Sequence, residues 1–355
     1  MSSAKATAIA AGSVVVFSLS VLAFQYFSVN KASSAVSEVP TSSDVQRNID
    51  TPEGESVPSG LVLQEDVSDL QVKAYVNDKQ NGSFIEVWQD KEHPVRLFQL
   101  PIDNDVKVTL KKISPENGAG EPTALIPLIK GKADFIIIET APVVARKHQA
   151  NVLVIERTKA SGLESVELLG VLPESIEPLE LQSKNAAGPY QLVVRPSFAQ
   201  MTGASAVDQK VILRVEEVKK RKGGQIQKAL VLDWKAMRAM AMSKKDLAAR
   251  ARTVELAFSS FSGLPLGAES DEDNMAVQDP QSLIAQVPVE LTETVLQLYC
   301  AGQGSQVKGF IERSWPADKQ GKNEFLTAIK SLADKDKLWS EVLAGSAHPR
   351  KTRLL

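Results

Sequence analysis

Phe135-Ile136-Ile137-Ile138 is an unbroken apolar run inside a region otherwise cut into short pieces by Gly, Pro, Asn and Asp. A strand with one wet face alternates apolar and polar residues, so a run without alternation predicts a strand covered on both faces and central in its sheet. Upstream, residues 105–113 set Val106, Val108 and Leu110 against Lys107, Thr109 and Lys111, the period of two expected of a strand with one buried face. Residues 124–129 read as its hairpin partner across the loop 114–122. Further upstream, 71–76 and 83–89 flank a turn ending in Asn81-Gly82, a pair suited to the positive φ of a hairpin, and 95–100 follows as a third strand.

Downstream the series continues through 151–157, 165–172 and 190–195, with Pro173, Pro178 and Pro189 as punctuation, and closes with a hairpin of 207–218 and 225–232 around Gly223-Gly224. Short strands at close spacing point to a β-rich domain, sandwich or barrel-like, over residues 61–233. Length also allows two β modules split near 181–189, and a faint echo between 106–129 and 211–233 is compatible with duplication.

After Asp233 the strand signal stops. Ser243 with Asp246 has the form of a helix start, and Leu247, Ala251, Val254, Phe258 and Phe261 recur at spacings of four and three before Gly263, giving a helical segment over 234–263. Residues 264–282, with the acidic cluster 269–273, read as a linker. A small helical unit follows over 283–345, with helices at 291–300, 318–333 and 336–344, the last closed by Gly345. Residues 346–355 form a basic tail. The fold class is therefore α+β.

The N-terminus supplies a separate signal. Ala6 through Asn30 is uncharged, and about 20 apolar residues suffice to cross a bilayer core. The stretch reads as a single transmembrane helix behind a short tail of residues 1–5, with the bilayer as its partner. Ser33 and Ala35 would also suit a cleaved signal, whose apolar core is usually shorter. Residues 31–60, mainly Ser, Thr, Pro, Glu, Asp and Val, read as a disordered tether. The short inner tail favours an N-terminus inside and the bulk in a periplasm.

Composition narrows the chemistry. The net charge of −2 gives no overall field for nucleic acid, and one cysteine permits no internal disulfide. The three histidines, His93, His148 and His348, stand apart, with no zinc, phosphate-loop or dinucleotide pattern, so no cofactor and no metal is expected. Ser305-Gln306-Val307-Lys308 matches S-x-x-K without its companion elements and reads as a surface loop. Cys300 reads as a buried small hydrophobe.

The candidate partner contacts are the basic hairpin tip Lys219, Lys220, Arg221 and Lys222 and the aromatic helix residues Phe258 and Phe261. The expectation is a non-enzymatic, membrane-anchored structural or adaptor component of a bacterial cell-envelope assembly, of secretion, conjugation or pilus type. Such a component sits in the inner membrane, meets other envelope proteins, and is compatible with homo-oligomers. The alternatives are an anchored enzyme such as a cell-wall hydrolase, and a secreted binding protein if the N-terminus is cleaved.

Overall fold

The computed structural model describes residues 60–78, 82–89, 94–114, 121–132, 134–143, 147–157, 164–183, 188–196, 209–219, 226–260 and 280–347. The expected membrane span, the tether up to residue 59, Lys220 to Lys222, Phe261, the acidic cluster and the tail beyond 347 lie outside them. No helix among the described residues is long and apolar enough to cross a membrane.

The described chain is α+β: three four-stranded antiparallel sheets followed by a helical part. The first sheet is a meander of β1 (Leu61–Val67), β2 (Leu70–Asp78), β3 (Gly82–Gln89) and β4 (Val95–Pro101). The second is a meander of β5 (Val106–Leu110), β6 (Phe135–Pro142), β7 (Gln149–Arg157) and β8 (Glu164–Val171). In the third, β9 (Glu180–Gln182), β10 (Gln191–Val194), β11 (Val211–Lys219) and β12 (Ile226–Leu232) again lie in chain order.

The apolar run at 135–138 lies in β6, an inner strand between β5 and β7. Its residues divide between two cores, as the two-residue period of a strand requires. Ile136 and Ile138 join Val72, Ile85 and Val87 of the first sheet in one cluster. Phe135 and Ile137 enter a second cluster shared with the third sheet and the helices. The second sheet is thus the middle layer, covered on both faces.

The expected hairpin of β5 with 124–129 is not formed. β5 pairs instead with β6, Val108 opposite Thr140 and Leu110 opposite Ile138, and the described segment before β6 makes isolated bridges, Ile113 with Thr123, Ile126 with Phe135 and Ile129 with Lys132. The long apolar β6 offers five successive pairs to β5, whereas Ala124 to Ile129 is broken by Pro127. The echo between 106–129 and 211–233 therefore does not correspond to two hairpins, since only β11 and β12 form one. At the expected module boundary, Leu181 and Gln182 pair with Leu192 and Gln191 in the third sheet.

The helical part runs α1 (Trp234–Arg238), α2 (Lys244–Ser260), α3 (Pro280–Ala285), α4 (Val289–Cys300), α5 (Gly304–Ser314), α6 (Lys322–Asp334) and α7 (Lys337–Ala347). Ser243 caps α2 reciprocally: its hydroxyl accepts the Asp246 N–H at 3.2 Å, and the Asp246 carboxylate accepts the Ser243 N–H at 3.3 Å. Leu247, Ala251, Val254 and Phe258 are the buried stripe of that helix.

Three helical expectations need correction. The 264–282 linker overlaps α3, which begins at Pro280. Ser305 to Lys308 is the start of α5, with Val307 buried, and not a loop. Gly345 does not end its helix, because α7 continues to Ala347. A Cβ there would come within 2.4 Å of Trp234 Cζ2, so the glycine lets α7 approach the indole.

Candidate functional site

The first sheet has only one face in a core. Leu70, Val72 and Ala74 of β2 and Ile85 and Val87 of β3 point inward, so Gln71, Lys73 and Tyr75 and their partners Trp88, Glu86 and Phe84 share the outer face. Among the described residues, no strand or helix packs over that face; β1 and β4 of this sheet lie against β5 and β8 of the second.

What occupies the outer face is unusual for a sheet surface that only meets water. Tyr75 stacks on Phe84 across the β2–β3 pair, ring centroids 4.7 Å apart. One row over, Glu86 is only 5% exposed. Its two oxygens are taken, one by the Trp88 indole N–H at 2.9 Å and the other by the Arg96 guanidinium at 2.8 Å. Lys73 Nζ lies over the Trp88 ring, 5.7 Å from its centre. The indole is thus held by its N–H while the ammonium lies near its ring. Tyr75 feels the same group: burial first, then the Glu86 charge, then Asp78, push its phenol above the usual range.

A second buried carboxylate, Glu139, lies on the face of β6 turned toward the third sheet. It accepts the Leu179 N–H at 2.7 Å, pairs with Lys111 Nζ at 2.6 Å, and has His148 Nδ1 3.6 Å away. Donors from three separate segments converge on it, which makes it a node that ties β6 to the approach of β9.

A cleft of about 350 Å³ opens between residues 128–130 and the third sheet. On its lining, Asp233 caps α1 by accepting the Ala236 N–H at 3.0 Å, and takes Gln191 Nε2 at 2.5 Å and Arg214 at 3.4 Å. Arg214 also pairs with Glu216. These charges pair with one another and join the third sheet to the first helix, while the buried Arg214 Nε–H has no hydrogen-bond partner among the described residues. No group of three or more His, Cys, Asp or Glu able to hold a metal occurs among the described residues.

Of the residues singled out in the sequence, Phe258 is buried, its ring 5.1 Å from Trp315, with Lys319 Nζ donating to its carbonyl oxygen at 3.3 Å. It belongs to the interior and offers no surface. Lys219 pairs with Ile226 as the last rung of β11 and β12; Lys220, Arg221, Lys222 and Phe261 fall outside the described residues. Cys300 is fully buried and its thiol is pushed up to about 12, which leaves it without thiolate reactivity near neutral pH. The outer-face residues escaped sequence reasoning, although the signal is present: in Ser83-Phe84-Ile85-Glu86-Val87-Trp88, the aromatic rings fall on the phase opposite Ile85 and Val87.

Several exposed apolar side chains lie on adjoining edge strands. Val95 on β4, Leu168 and Val171 on β8 and Ile226 on β12 are four of the eight large apolar side chains left exposed among the described residues, and these edge strands adjoin, β4 against β8 and β8 against β12. No protein-family model, curated protein or solved structure matches the chain.

Proposed function

We propose that this chain is a membrane-anchored structural or adaptor component of a bacterial cell-envelope assembly, held in the inner membrane by residues 6–30 with its bulk in the periplasm. It works by binding. The observation that carries the reading is the seam of adjoining edge strands β4, β8 and β12, where Val95, Leu168, Val171 and Ile226 face water. Apolar side chains grouped on sheet edges are a standard basis for recruiting a partner chain, either by strand addition or by face contact. In this reading the first two sheets act as one sandwich module, and the uncharged N-terminal stretch anchors the chain in the bilayer.

The test begins with the intact protein, extracted in detergent and affinity-purified, with co-purifying chains identified. A stable set of envelope proteins that disappears with Leu168→Arg or Val171→Arg supports the reading. A chain that brings nothing with it, or the same partners regardless of these substitutions, sinks it. A periplasm-dependent reporter fused after Leu355 tests location independently, because the enzyme would remain silent if the bulk were cytosolic.

A further inference from the structure

We infer that the outer face of the first sheet binds an uncharged polysaccharide, with Trp88 and Tyr75 as ring platforms and Lys73 and Gln99 as hydrogen-bonding neighbours. This site is separate from the edge seam, and the inference stands whether or not protein partners dock there.

The composition of the face is the first argument. Register places Gln64, Lys73, Glu86 and Gln99 in one row across the four strands, and Asp66, Gln71, Trp88 and Arg96 in the next. An amide resembles a sugar hydroxyl in offering both a donor and an acceptor. An aromatic ring presents a negative π-face that attracts the polarised C–H groups of a pyranose. Amides beside aromatic rings therefore match a ligand that alternates hydroxyls with C–H faces.

Electrostatics narrows the class. Lys73 and Arg96 are balanced by Glu86 and Asp66 on the same two rows, so the face has no excess of either sign. A polyanion such as nucleic acid, or an anionic lipid surface, needs uncompensated cations. A peptide gains its main-chain hydrogen bonds at a sheet edge and would find no ladder on a sheet face. A neutral polyhydroxylated chain requires neither.

Geometry sets the size. Phe84, beneath Tyr75, and Trp88 are four residues apart on β3, about 13 Å at the rise of a strand. One sugar ring cannot cover both platforms. A ligand that spans both platforms lies along the face and is recognised by its length, not its end. The platform is also pre-set: the indole N–H is held by Glu86, and Glu86 by Arg96, so little ordering remains when a ligand arrives.

The test uses the full chain purified in a detergent without a sugar headgroup, with tryptophan emission and calorimetry as readouts. The probes are the β-1,4-linked hexasaccharides of glucose and of N-acetylglucosamine, their monosaccharides, and poly-glutamate as a charge control. At least one hexasaccharide should bind saturably and about tenfold more tightly than its monosaccharide, and Trp88→Ala should weaken it by about tenfold, the scale of one lost stacking contact. Trp88→Phe should retain part of the affinity. Gln99→Ala and Lys73→Gln, changes at the water-facing surface, should each weaken binding severalfold without moving the unfolding midpoint, and they decide the matter if Trp88→Ala fails to fold. The inference is overturned if neither hexasaccharide saturates, if these substitutions leave affinity unchanged, or if poly-glutamate competes as well as the sugar.

Discussion

The inner strands β3 and β6 are alike in length and in burial, yet they are buried by different means. β6 lies in a sheet covered on both sides: Phe135 and Ile137 enter one core, Ile136 and Ile138 the other. β3 has Ile85 and Val87 in a core, but Phe84 and Glu86 are buried on the outer face, where among the described residues their neighbours are side chains of the same sheet such as Tyr75, Trp88 and Arg96. Burial under another layer is enforced by the fold. Burial under adjacent side chains is local, and a single substitution can relax it.

The largest expected contrast follows directly. Phe135→Ala removes a fully buried ring from the junction of the second and third sheets, and should cost about 3–5 kcal/mol. Trp88→Ala removes a ring that is partly exposed and held by one hydrogen bond to Glu86, and should cost less, about 2 kcal/mol. Denaturant unfolding of the full-length protein in detergent gives both numbers. Equal costs would mean that the outer face is packed like a core, and the comparison would break.

The two buried carboxylates sharpen it further. Glu86 and Glu139 are each 5% exposed and each holds a cation. Lys111, the partner of Glu139, is 17% exposed, whereas Arg96, the partner of Glu86, is 48% exposed. Glu139→Ala strands the Lys111 ammonium and the Leu179 N–H away from water, for an expected loss of about 3 kcal/mol. Glu86→Ala frees an arginine that water can solvate, for about 1 kcal/mol. The same unfolding assay ranks the pair, and a reversed order would show that the open face matters more to stability than the middle layer.

The same distinction explains what the sequence made legible. Period and apolar runs report which side chains meet a core, so β2, β3, β5, the central place of β6 and the stripe of α2 could all be read from them. Pairing between strands distant in sequence depends on competition: local spacing pairs β5 with 124–129, while β6, across a longer connection, offers the better ladder. Gly345 gives the same local signal whether a glycine ends a helix or admits a neighbour, and only Trp234 distinguishes the two. The outer face was missed for a related reason. An aromatic residue in a strand suggests core, and its phase becomes informative only once the partners of β3 are known.

The smallest expected effect tests whether Glu86 acts electrically across the open face. Tyr75 is raised by burial first and by Glu86 second, while Tyr299 on α4 is raised by burial alone. For both phenols the folded value lies above the unfolded one, so the stability each contributes is fully present below about pH 10 and is lost as pH rises through the folded value. Glu86→Gln removes a charge but keeps the shape, and should lower the Tyr75 titration while leaving it above that of free tyrosine. Tyr299 should not move, which makes it the internal control. Phenolate absorbance followed through the alkaline range, with Tyr75→Phe to assign the signal, separates the two. If Tyr75 titrates unchanged in Glu86→Gln, the carboxylate is screened by Arg96 and Trp88 and its role on the face is to position the indole, with no field reaching the neighbouring row.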